Sequence, residues 1–209
     1  MTTLSVEKGE RINIQKEAGG ETLFILGIGW TTEADLDSSV FLCKQQPNDE
    51  PAKCIGNPGA IYFRQLESSD RAIIHTGDNR TGQGNASDQD DERIILDLGR
   101  LTGGVDQLDL WVNIYDTGIN FGSVKNAYCR LYKGLRDAAG NVALDENGKP
   151  LTGEVILRYD LTEDYSRYNA LQFGSLYLKD NQWRFQALDV GQKATIKDII
   201  NSYLPGAVA

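Results

Sequence analysis

Apolar residues along this chain recur mostly at every second position, in short runs rich in Val, Ile, Leu, Phe, Tyr and Trp bounded by Gly, Asn and Asp. That period places successive side chains on opposite faces of an extended backbone, which is the pattern of strands rather than helices. It predicts strands over 11–14, 22–28, 40–43, 60–63, 72–74, 93–98, 108–115, 127–132, 154–159, 171–178 and 183–188. Many short strands without intervening helical segments bury their apolar faces best as two packed sheets. The predicted fold class is therefore all-β: a two-sheet β-sandwich of about ten short strands with a C-terminal α-helix. That helix is read from Thr195, an N-cap residue, followed by Ile196, Ile199, Ile200, Tyr203 and Leu204 on one face before Pro205-Gly206. It is expected to cover a sheet edge or an open end of the sandwich.

Two turn signals, around Asp137 to Asn141 and Asp145 to Pro150, fall between Gly134 and Gly153 and predict a surface hairpin excursion near 134–153. No internal repeat and no Ser/Pro-rich linker divides the chain, so residues 1–209 are read as a single domain. Composition is that of an ordinary folded protein, with 40% hydrophobic and 24% charged residues. The net charge of −9 repels phosphate backbones and anionic headgroups, so nucleic acid is not an expected partner. No apolar run approaches a membrane span, and the N-terminal stretch lacks the apolar block of a signal peptide. The three cysteines cannot all pair within one chain and form no C-x-x-C, so buried thiols and a cytoplasmic location are expected.

The strongest chemical signal is His75 to Glu92, eighteen residues with no large apolar side chain and five acids against one base. These residues carry −4 of the net −9. A long loop between two strands is functional or disordered. Clustered carboxylates repel unless a cation or hydrogen-bond donors compensate, and calcium, which takes about six to eight oxygen ligands in irregular geometry, is the natural cation. Asp78 and Asn79 offer side-chain oxygens, while Asp90, Asp91 and Glu92 bring three more carboxylates where the chain re-enters a strand. A second cluster, Glu33, Asp35 and Asp37, precedes the strand 40–43. If it continues that strand, the alternate acids share one side and Leu36 takes the other.

Other templates fit worse. An EF-hand begun at Asp78 would put Arg80 at its third position, and Gly77 to Gly82 lacks the lysine of a phosphate-binding loop. Zinc is disfavoured because the lone His75 stands among oxygen donors. A metal-assisted hydrolase using His75 beside Asp78 is a minor alternative. Without a nucleophile elbow or a second histidine, the chain is read as a non-enzyme and His75 as a loop brace.

These motifs resemble the TerD family of tellurite-resistance and general stress proteins. The resemblance is carried by Asp35-Leu-Asp-Ser-Ser-Val-Phe41, His75-Thr-Gly-Asp-Asn-Arg-Thr-Gly-Gln-Gly84 with Asp90-Asp-Glu92, Ile114-Tyr-Asp116 with Phe121 to Ala127, and Arg158 to Asp164 with Phe173 to Tyr177 and Trp183 to Phe185. It covers almost the whole chain in family order. It implies a calcium-binding β-sandwich holding one or two Ca2+ ions at one end, with candidate ligands Asp35, Asp37, Asp78, Asn79, Asp90, Asp91 and Glu92. Asp116 is a further candidate, or a brace for its loop. The resemblance also implies a cation-dependent docking module working with other Ter-type proteins and an inner-membrane Ter component. Membrane contact is then indirect or calcium-dependent. A cation-independent scaffold is the alternative.

Overall fold

The computed structural model describes residues 3–82, 89–161 and 165–206. In chain order it comprises β1 (Leu4–Ser5), β2 (Arg11–Ile12), helix α1 (Ile14–Glu17), β3 (Leu23–Gly29), β4 (Leu36–Lys44), β5 (Lys53–Cys54), β6 (Ala60–Ile61) and β7 (Ile73–His75). There follow β8 (Glu92–Asp97), β9 (Gln107–Ile114), β10 (Tyr128–Gly134), β11 (Thr152–Asp160), β12 (Ala170–Lys179), β13 (Gln182–Gln192) and helix α2 (Ile196–Tyr203). One sheet has the order β1-β11-β10-β3-β8-β7. The other runs β2-β13-β12-β9-β4-β5, with β6 also paired to β4. The predicted all-β, two-sheet sandwich is the observed fold, and each of the eleven predicted stretches contains a strand.

The core lies between the sheets, where alternate residues of facing strands meet: Phe24, Leu26 and Ile28 of β3 share one cluster with Val40 and Leu42 of β4 and Leu110 and Val112 of β9. The whole of β3 is buried, because its other face is covered as well. There Leu23 and Ile25 pack with Ile95 and Tyr132, and Val142 from the 134–153 excursion closes over them. Arg136 ties that excursion down by donating to both oxygens of the buried Asp97, at 3.0 and 2.9 Å. This double contact is the fork-to-carboxylate arrangement that fixes orientation as well as charge.

Three details depart from the sequence reading. The stretch 11–14 is strand only through Ile12; Asn13 then accepts the Lys16 N–H and caps α1, turning Ile14 fully into the core. The strands β1 and β5, each two residues long, were too short to show a period. Helix α2 packs on the outer face of the second sheet rather than on an edge or an open end. Its Ile196, Ile199 and Ile200 lie with Phe41, Trp111 and Ala170.

Its N-terminus is closed by a reciprocal capping box between Thr195 and Asp198. At its C-terminus Tyr203 stacks on Phe41 at 4.1 Å, donates to Asp109 at 2.8 Å and accepts from the Trp111 indole at 3.1 Å. Asp109 is buried and takes further donors from Gln107 and Ser175. Removing the Tyr203 hydroxyl therefore leaves a buried carboxylate oxygen and a buried indole N–H each short of a partner. Tyr203→Phe is expected to destabilise the fold by about 1–3 kcal/mol, read as a lower urea midpoint at unchanged slope.

Candidate metal centre

The β4 start, the end of β7, the start of β8 and the end of β9 come to one end of the sandwich. Leu36 is wholly buried in the core, and the flanking Asp35 and Asp37 share the opposite side of the extended backbone, as their alternation requires. From the β7–β8 loop comes Asp78. Carboxylate oxygens of Asp35, Asp37 and Asp78 all lie within 4.8 Å of one another. Ligands about 2.3–2.6 Å from one ion can stand no farther apart than about twice that distance, so three oxygens at this spacing fit a single cation.

Two observations say that the described residues alone do not satisfy this cluster. Asp35 Oδ1 is buried with no hydrogen-bond partner among the described residues, and so is Asn113 Oδ1, whose amide nitrogen donates weakly to Asp37 at 3.4 Å. Burial, with Asp78, Asp116 and Glu92 nearby, raises the Asp35 carboxyl to about 6. Asp37, only 2% exposed, is pushed to about 8 by burial and then by Glu92, Asp35 and Asp78. Like charges brought together out of water disfavour ionisation, and a cation among them reverses that balance. The donor set is all oxygen, which suits a hard metal ion.

The remaining expected ligands divide into braces and a clamp. Glu92 is 2% exposed and bridges the sheets: one oxygen accepts from the Ser38 N–H and hydroxyl at 3.0 and 2.7 Å, the other from the Asn79 N–H at 3.3 Å. Asp91 accepts from the Trp30 N–H at 2.9 Å and from the Asn79 amide at 3.1 Å. Asn79 thus spends its amide on Asp91 and its backbone N–H on Glu92, which fixes the loop next to Asp78. Asp116 accepts the Asp35 N–H at 3.0 Å and is the loop brace of the two roles considered for it. Glu33 is exposed and stands outside the carboxylate group. Gly84 and Asp88 of the loop motif lie outside the described residues.

Asp90 departs from the expected ligand set. Its carboxylate is buried and turned away to Arg130, which donates at 2.7 and 3.1 Å, with Arg93 at 3.0 Å and the Tyr132 hydroxyl at 2.9 Å. It lies over Gly27 of β3, where a Cβ would come within 2.5 Å of the Asp90 carboxyl carbon. The sequence carried this signal in Gly27-x-Gly29, since glycines inside a strand mark close approach of another group. Arg130 in the neighbouring strand was the missed partner.

His75 is buried and does not reach toward Asp78 as the hydrolase reading required. Its Nδ1 accepts the Gly77 N–H at 3.2 Å, which assigns the proton to Nε2, 3.3 Å from the Ser38 hydroxyl and 3.4 Å from Glu92. Both ring nitrogens are therefore engaged in holding the β7 end against β4 and β8.

Fold and site together define a β-sandwich protein with a metal-competent acidic end, an Asp cluster able to hold a metal ion. The TerD domain family model matches residues 1–203, and the chain belongs to that family. It is 31% identical to General stress protein 16U of Bacillus subtilis (strain 168) over 211 residues, covering 96% of this chain and 97% of that one. It is likewise 31% identical to the Tellurium resistance protein TerD of Alcaligenes sp, with 96% and 97% covered. Among solved structures, a homologue of telluride resistance protein (TerD) from Streptomyces coelicolor A3(2) superposes with a TM-score of 0.60 at 18% identity, over 91% of this chain and all of that one. That likeness supports the sandwich fold. The family is one of tellurite resistance and stress proteins, not a known enzyme family. Among the described residues no helix is long and apolar enough to cross a membrane.

Two predictions follow from the site. Arg130→Met leaves the buried Asp90 charge with Arg93 and the Tyr132 hydroxyl and is expected to cost up to about 3 kcal/mol in urea unfolding, part of which Asp90→Asn restores in the double variant. The second concerns pH. Asp35 and Asp37 bind protons more tightly folded than unfolded, so their contribution is full below about 3.8 and is lost as pH rises through about 6 and about 8. In chelator-treated protein the stability of Asp37→Asn relative to the parent is expected to grow as pH rises across that window, measured from urea midpoints.

Proposed function

We propose that this protein is a calcium-binding stress-response protein of the TerD type, in which bound Ca2+ neutralises the acidic end and orders its loops for docking. One observation carries the reading: a buried Asp35 oxygen without a hydrogen-bond partner among the described residues sits in a group of three convergent carboxylates. Calcium suits hard oxygen donors in irregular geometry, and backbone carbonyls and water would complete the about six to eight ligands it takes. Asp35, Asp37 and Asp78 would hold the ion, while Asn79, Asp91 and Glu92 set the loop that presents Asp78. A bound ion would supply positive charge there, and Asp35 and Asp37 beside β4 and Asp78 of the β7–β8 loop are the residues that would hold it.

The role in stress protection is taken to be that of a cation-dependent docking or scaffolding module rather than a catalyst. The family supports the stress context, since relatives are named for tellurium resistance and general stress. Its partners are proposed to be other Ter-type proteins and an inner-membrane Ter component, with the chain cytoplasmic and peripheral to that membrane through its partner. The −9 net charge supports indirect or calcium-dependent contact over direct attraction to anionic lipid.

Calcium at one hundred times its dissociation constant is expected to stabilise the fold by about 2.7 kcal/mol. Titration calorimetry should show the matching heat, and Asp35→Asn/Asp37→Asn should abolish both effects. A parent protein with neither heat nor a shifted melting temperature would instead be a cation-independent scaffold.

A further inference from the structure

The second sheet holds a pair of thiols that the acidic end does not use. Strand register sets Cys43 of β4 directly opposite Cys54 of β5, and both are free. The backbone bond from the Ile55 N–H to the Leu42 carbonyl, at 3.0 Å, lies one pair along. Cys43–Cys54 is therefore a non-hydrogen-bonded antiparallel pair, the kind whose Cα atoms approach to about 4.5 Å. Disulfides span Cα separations of about 4.4–6.8 Å, so this is a position where two opposed thiols can join without moving the strands apart.

The two sulfurs differ in ways that divide the chemistry between them. Cys43 is wholly buried beneath α2. Cys54 is half-buried and opens on a groove of about 1020 Å³ along the outer sheet face, walled also by Glu50, Lys53, Trp111 and Tyr203. The Cys43 thiol donates to the Cys54 sulfur, which holds Cys54 below the usual thiol range and pushes Cys43 far above it. A backbone N–H from Gly56 adds to the first effect. The protonated Cys54 thiol donates to the Gly59 carbonyl at 3.1 Å, and a Cβ at Gly59 would stand 2.6 Å from that sulfur, so only glycine leaves it room. An accessible, hydrogen-bonded sulfur next to a protonated, buried one is the arrangement of an attacking thiol and a resolving thiol.

We propose that Cys54 and Cys43 form a reversible oxidation site for small neutral hydroperoxides. The Cys54 thiolate attacks the peroxide oxygen; the O–O bond breaks, and the departing alkoxide or hydroxide takes up a proton, leaving Cys54 as a sulfenic acid. The Cys43 sulfur then displaces the hydroxyl, whose departure with the Cys43 proton yields water and a Cys43–Cys54 disulfide. Two thiols are oxidised and one peroxide is reduced to alcohol, or to water. The Asp109 carboxylate acts on both thiols and disfavours an anionic disulfide as oxidant. The bond would lock the short edge strand β5 to β4, in the cluster that Leu204 joins at the end of α2.

The test is hydrogen peroxide added to the intact protein, followed by unfolding, alkylation and peptide mass spectrometry. The expected result is loss of both labelled sites in the Cys43 and Cys54 peptides, which appear joined and lighter by two hydrogens. Cys129, fully enclosed between the sheets, keeps its label, and dithiothreitol restores the other two. In Cys43→Ser the expected product is a Cys54 sulfenic acid trapped by dimedone. Three results would overturn the proposal: both thiols unreacted, Cys54 over-oxidised with Cys43 still labelled, or a disulfide between separate molecules.

Discussion

Three carboxylates gathered at one end of the sandwich, Asp37 buried, Asp35 half-buried and Asp78 exposed, are the constraint around which that end is arranged. Asp35 and Asp37 come from one sheet, Asp78 from a loop of the other, and their oxygens share a space 4.8 Å across. Left alone they repel, and the raised carboxyl values of Asp35 and Asp37 register that repulsion together with burial. Something must hold the segments in place against it. The structure supplies two such devices from protein atoms, and the third is the proposed cation.

The first device is the Glu92 bridge, in which a carboxylate from β8 accepts donors from Ser38 on the opposite sheet and from Asn79 in the loop. It joins the two sheets at the end where they would otherwise splay. The second is the Asp90–Arg130 clamp, which pins the returning loop on the outer face of β3 over glycine. A buried charge pair of this kind adds little net stability by itself, but breaking one partner is costly, so it fixes where the loop must lie. Consecutive residues thus have three destinies. Asp90 anchors outward, Asp91 closes on Trp30 and Asn79, and Glu92 turns between the sheets.

That division was the part least legible in the sequence. Periodicity identified the sandwich because β3, β4, β8, β9 and β12 send alternate side chains into the core between the sheets over many residues, and their pattern survives any error at the ends. The Asp35-x-Asp37 alternation around Leu36 was legible for the same reason. A run of three acids offers no such phase, because successive residues near a strand project to different sides, and only the positions of Arg130 and Ser38 decide which goes where. Both partners are distant in sequence. Helix α2 was readable from its cap and apolar face, yet its docking on Phe41 and Trp111 depended on the exposed side of a sheet that has no sequence signature of its own.

Soaking crystals of the protein in terbium, with anomalous difference maps, interrogates the acidic end most directly. The account predicts a strong peak among the carboxylates of Asp35, Asp37 and Asp78, with Asp90 still turned to Arg130. A well-ordered structure lacking any peak in that space, or with ions bound only elsewhere, would contradict it.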